Sequence, residues 1–85
     1  MKLAGNLIKG TKIIRRASFE KEDQSISFHD MLEESLLALC KELDIPVPIW
    51  MKKNTGEFAM FRRTFFTSEQ FTEKVGFDRF EIRME

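Results

Sequence analysis

Between Phe28 and Leu43 the apolar residues Phe28, Met31, Leu32, Leu36, Leu39 and Leu43 recur three or four positions apart, with Ser35 in the same register. Only an α-helix gathers such positions onto one face. The chain must therefore contain a helix of about four turns whose dry stripe something else has to cover. Its ends are marked. Ser27 is a good N-cap, and Asp30 three residues on resembles a capping box. Asp30, Glu33 and Glu34 lie near the positive end of the helix dipole and Lys41 near the negative end. Cys40 flanks the stripe. Ile45-Pro46-Val47-Pro48 stops the helix, because proline disfavours helical backbone at the residue before it.

Strands are available to cover the stripe. Residues 3–9 and 12–20 predict a hairpin about Gly10-Thr11, with Gly10 at the first central position of a type II′ turn. That register pairs Ile8 with Ile13 and Leu7 with Ile14. It puts Leu3, Leu7 and Ile14 on one face, and Ala4, Ile8, Ile13, Ala17 and Phe19 on the other. Residues 20–25 form a polar connection. Asp78 to Met84 alternates strictly: Phe80, Ile82 and Met84 face one way, and Arg79, Glu81 and Arg83 the other, as in a strand with one dry and one wet face.

Residues 49–66 fit two patterns. Val47, Trp50, Met51, Phe58, Phe61 and Phe65 form a helical stripe, whereas Asn54-Thr55-Gly56 also suits a three-residue hairpin loop. The reading adopted is short helical turns followed by a strand from about Arg62 to Thr67. Thr67-Ser68-Glu69-Gln70 is a capping-box pattern that opens a short helix, with Gly76 to close it. Gly5, Gly10, Gly56 and Gly76 read as turn or bulge residues. The pieces assemble into an α+β fold. A small, mainly antiparallel sheet of three to four strands packs against one long helix, with one or two short helices. With 85 residues there is room for a single domain, residues 1–85, and no second core.

Composition excludes several classes. The lone Cys40 cannot make an intramolecular disulfide or a cysteine-based zinc cluster. No apolar run approaches the roughly 18 residues of a membrane span. Lys9 and Lys12 interrupt any secretory apolar segment near the amino terminus, so a cytoplasmic location without membrane contact is expected. The 14 bases and 14 acids cancel, yet they fall in blocks. Residues 1–16 hold Lys2, Lys9, Lys12, Arg15 and Arg16 and no acid, and residues 17–44 are strongly acidic. Such blocks either attract one another within the fold or between subunits, or form a basic face for an acidic partner. The first is favoured, because the acidic block is as large as the basic one.

Reactive side chains are sparse. His29, the single histidine, sits in the first helical turn four residues before Glu33, where an exposed, loosely paired imidazole is expected rather than a base or metal ligand. Cys40 lies near the negative helix end, close to Glu42 and Asp44, which opposes a thiolate. The serines have no activating base apart from His29, and no phosphate-cradling glycine loop exists. No catalytic residue, cofactor or metal is expected.

The most suggestive stretch is 50–66. Trp50, Lys52, Lys53, Arg62, Arg63 and Phe66 mix bases with rings, the composition of a nucleic-acid platform. The competing reading places the phenylalanines in the core and leaves the two basic pairs as a surface rim. It is favoured, because a chain this small needs its rings inside. Two functions follow. The first is a small protein-binding or self-associating module, with Trp50 and Phe66 exposed together or the terminal strand offering a free sheet edge. The alternative is a nucleic-acid-binding module built on segment 50–66.

The run Leu43-Asp44-Ile45-Pro46-Val47-Pro48-Ile49-Trp50-Met51-Lys52-Lys53-Asn54-Thr55, with Phe61-Arg62-Arg63-Thr64 and the closing Phe77-Asp78-Arg79-Phe80, resembles small uncharacterised proteins of Gram-positive anaerobic bacteria. The resemblance implies a bacterial cytoplasmic setting and brings no activity or site residues with it.

Overall fold

A computed structural model describes all 85 residues. Four strands, β1 (Lys2–Lys9), β2 (Lys12–Glu20), β3 (Arg63–Thr67) and β4 (Arg79–Met84), form one sheet in the order β2-β1-β4-β3. Every neighbouring pair is antiparallel. Two helices, α1 (Phe28–Leu43) and α2 (Lys52–Phe61), pack on the same face of this sheet. The fold is α+β as expected. Its second helix, however, is a full element of ten residues rather than short turns.

The hairpin forms where the glycine dictates. Gly10 has φ +61°, the left-handed backbone that a II′ turn requires at its first central position. Ile8 pairs with Ile13 as expected, but a register shift follows between Leu7 and Ile8. Arg15, not Ile14, stands opposite Leu7, and Ile14 is 46% exposed. A bulge of one residue exchanges the faces of everything beyond it. Ala17 and Phe19 therefore pack against the core instead of away from it. Arg15 uses its inward position to donate 2.9 Å to the carbonyl of Leu43, one of the orphan acceptors at the end of α1.

Helix α1 follows its local signals. The Ser27 hydroxyl accepts from the Asp30 amide at 3.1 Å. At the other end, the Asp44 amide donates to Lys41 O and the Ile45 amide to Cys40 O, a Schellman motif with Asp44 in the left-handed position. Leu36, Leu39 and Leu43 bury against Leu3, Leu7 and Phe80. The helix comes so close that a Cβ on Gly5 would sit 3.0 Å from Phe80 and 3.3 Å from Leu39. Gly5 is thus a close-approach residue in mid-strand, not a turn or bulge residue.

The Asn54-Thr55-Gly56 hairpin does not form. Asn54 lies inside α2 and its side-chain oxygen accepts from the Met51 amide at 2.9 Å, which favours the helical start. After β3 the Thr67 amide donates to Gln70 Oε1 at 3.1 Å, but only one 3-10 turn, Ser68–Gln70, results. The chain then leaves to bury Phe71 and Phe77, whose rings meet edge-on at 5.3 Å. Gly76 closes no helix. The terminal strand β4 lies between β1 and β3, so it is no sheet edge; β2 and β3 are the edges. No helix is long and apolar enough to cross a membrane.

Candidate functional site

Helix α1 packs over β1 and β2, and α2 over β3. The two helices leave a cleft of about 650 Å³ between them. Leu36, Trp50, Phe58 and Met84 line its inner part. Its lips carry Phe28, Leu37 and Val47, which are 55%, 46% and 48% exposed. Trp50 is fixed in place. Its Nε1 donates to Thr55 Oγ1 at 2.8 Å, and its ring meets Phe58 and Phe66 edge-on at centroid distances of 6.2 and 5.6 Å. The polar groups at the groove are few, His29, Glu33, Thr55 and Arg62.

The six residues singled out in segment 50–66 do not share a surface. Lys52 and Lys53 are exposed on the first turn of α2. Arg62 caps the C-terminus of α2 with φ 56° and borders the groove. Arg63 opens β3, with its side chain on the opposite face of the sheet, in register with Arg83. Phe66 is fully buried and Trp50 half-buried against it. The two rings that were expected to be exposed together instead close the core together. Conversely, Phe61 is 61% exposed, so the segment's phenylalanines are not all core.

The charge blocks meet at two points, the Met1 ammonium with Glu22 and Arg63 with Glu81. The chain's ion pairs include Lys21–Glu34 at 2.7 Å, which links the polar connection to α1. Lys2, Lys9, Lys12 and Arg16 have no acidic partner within 4.0 Å. These four side chains of the hairpin therefore remain free of close ion pairs.

His29 is exposed, 3.8 Å from Glu33. With Asp30 it forms a solvent-facing group whose ligand atoms lie within 4.8 Å of one another. Cys40 is buried, and that burial pushes its thiol up to about 11, so it is protonated at neutral pH. Ser27 caps α1 and Ser35 Oγ donates to Met31 O at 2.7 Å.

Sequence reasoning missed a buried polar network. Asn54 Nδ2 donates to Thr64 Oγ1 at 2.8 Å and to Phe65 O at 3.0 Å. Thr64 Oγ1 donates in turn to Glu57 Oε1 at 2.6 Å. Gln70 Nε2 donates to Ile49 O at 3.0 Å, tying the loop that carries Trp50 to the core. The network holds α2, β3 and one wall of the groove as a unit. The capping-box pattern at Thr67–Gln70 was its one visible trace.

No family model matches the chain, and neither curated proteins nor solved structures give a match.

Proposed function

We propose that the protein is a binding module that receives an apolar segment of a protein partner in the groove between α1 and α2. The observation that carries this reading is the exposure of Phe28, Leu37 and Val47 around a cleft already lined by Trp50 and Phe58. Apolar side chains clustered at a concave site lose water when a partner covers them, and such sites supply the central anchors of protein interfaces. The network through Asn54 and Gln70 keeps the groove wall preformed, which lowers the ordering cost of binding. The nucleic-acid alternative on segment 50–66 is less favoured at this groove, because Phe66 is buried, Trp50 is half-buried, and Arg63 lies on the opposite face of the sheet from α2, which carries Lys52 and Lys53.

The test replaces Leu37 with a photo-crosslinking residue in the cell that makes the protein, with the same residue at exposed Thr72 as control. A defined protein adduct at position 37 that is absent at position 72, and lost with Val47→Glu, is expected. A second copy of this chain in that adduct makes the module self-associating. Equal or absent adducts at the two positions overturn the reading.

A further inference from the structure

Both helices cover one face of the sheet, and the other face is bare. Register assembles that face from four strands. Phe65, Glu81, Asn6 and Arg16 form one row across it. Arg63, Arg83, Ala4 and Ser18 form the next. Arg79 stands beside Thr67 and Ile8 in a third. Lys2, Arg16, Arg63, Arg79 and Arg83 are all exposed. Glu20 and Glu85 lie at the far end of the face, near Lys2.

We propose that this bare face binds single-stranded nucleic acid, with Phe65 stacking a base and Arg16, Arg63, Arg79 and Arg83 contacting phosphates. Arg63 and Arg83 are direct cross-strand neighbours. Like charges so placed repel, and a fold keeps them only against some compensation. Within the protein the compensation is a single carboxylate. Glu81, 6% exposed, sits 3.8 Å from Arg63 and 3.5 Å from Arg83, and accepts 2.9 Å from Asn6 Nδ2. One buried negative charge beneath two guanidinium groups orients them and, with Arg16 and Arg79 unpaired on the same face, leaves that face with a positive excess. A polyanion laid across it relieves that excess, releasing counterions as it binds.

The ring decides which polyanion. Phe65 is half-buried on the open side, and the guanidinium carbons of Arg79 and Arg63 stand 5.1 and 5.7 Å from its centroid. Both guanidinium groups lie over the ring, so a base that stacks on Phe65 takes the place of one of them, and the displaced cation meets the flanking phosphate. An acidic peptide has charge for the arginines but no flat ring for Phe65. A duplex keeps its bases stacked within, out of reach of one ring on a sheet. Beside this row a polar hollow of about 570 Å³, lined by Asn6, Arg16, Ser18 and Arg83 among others, has room for the edge of an unstacked base.

The experiment measures fluorescence anisotropy of a labelled oligothymidylate, the same phosphodiester chain without bases, and poly-glutamate, each at several salt concentrations. Micromolar binding of the oligothymidylate that weakens steeply with salt is expected, in the order oligothymidylate, abasic chain, poly-glutamate. Phe65→Leu weakens the oligothymidylate by about 5- to 100-fold and leaves the abasic chain almost unchanged. Arg79→Gln and Arg83→Gln each lower the slope of log affinity against log salt by about 0.7. Lys52→Gln with Lys53→Gln, on the helical side, leaves both affinity and slope in place. Thermal midpoints confirm that each variant is folded. No binding at low salt overturns the proposal, as does equal binding of poly-glutamate, insensitivity to Phe65→Leu in the folded variant, or an equal loss from the Lys52 and Lys53 changes.

Discussion

Gln70 Nε2 donates to Asn54 Oδ1 at 2.9 Å, with both side chains buried almost completely. The bond joins the 3-10 turn after β3 to the interior of α2. It completes a set in which Asn54 uses both donors of its amide and accepts twice on its oxygen. Every buried polar side-chain atom of the protein has a partner. Such a network is favourable only while it is whole, because a donor left behind in the core has lost its water as well as its partner. Asn54→Ala is therefore expected to cost about 3 kcal/mol, since it strands one donor of Gln70 and the Met51 amide together. Lys53→Ala, one position earlier and exposed, costs less than about 0.5 kcal/mol. Urea unfolding followed by the Trp50 fluorescence measures both. A small loss for Asn54→Ala would mean that water replaces the amide and that the network is not a structural clamp.

Gly5 gives a second prediction. Its missing Cβ is the space into which Phe80 and Leu39 pack, at 3.0 and 3.3 Å from where that atom would stand. Both neighbours belong to the sealed core and cannot swing away freely. Gly5→Ala should destabilise by about 1–3 kcal/mol despite the general preference for alanine over glycine. The cost should fall in a Leu39→Ala background, where one of the two obstructions is gone. Equal costs in both backgrounds would place the strain in the backbone instead.

The sequence patterns that proved readable are those closed within a few residues. Ser27 and Asp30, the stripe from Met31 to Leu43, and the alternation from Arg79 to Met84 carry their own period and caps, although Phe28 at the head of the stripe is 55% exposed and Glu81, expected on the wet face, is buried. The sheet order is different in kind. Asn6 meets Glu81 across 75 positions of sequence, and no local pattern specifies that β4 inserts between β1 and β3. The candidate site was hidden for related reasons. Arg62 and Arg63 look like one basic pair, but the left-handed backbone at Arg62 turns the chain from α2 into β3, so one borders the groove and the other the bare sheet face. In Phe65-Phe66 the parity is set by Thr64, which turns inward to Asn54 and puts Phe66 in the core and Phe65 out. The bare face gathers Arg16, Arg63, Arg79 and Arg83 from three strands, and sequence proximity shows none of it.

Cys40 predicts a pH effect. Burial alone raises its thiol from an ordinary 9.0 to about 11, so the folded state prefers the protonated form. An acid whose folded value is raised adds stability that is present below its unfolded value and lost as pH climbs from about 9 towards 11. The protein should weaken over that window by an amount of order 2–3 kcal/mol. Cys40→Ala should flatten the slope there while lowering stability at neutral pH through the cavity it leaves. Native protein should also react slowly with a thiol reagent at pH 8, and unfolded protein fast. Rapid labelling of the native state would show that the thiol is reached without unfolding.

Asp44 occupies a position that suits another residue. With φ 55° it holds the left-handed end of the Schellman motif that closes α1, where glycine is the unstrained choice. Its carboxylate also sits at the negative end of the helix dipole. Two independent penalties thus fall on one side chain, and Asp44→Gly removes both. A gain of about 0.5–1 kcal/mol is expected, raising the thermal midpoint by about 3–6 °C in a domain of this size. Asp44→Ala separates the contributions, because it removes the charge but keeps a Cβ in the left-handed region. Asp44→Gly should therefore exceed Asp44→Ala at every salt concentration, and the gap between Asp44→Ala and the parent should shrink as salt screens the dipole. If Asp44→Gly is no more stable than the parent, the aspartate is making a compensating contact in solution and the cap is already at its optimum.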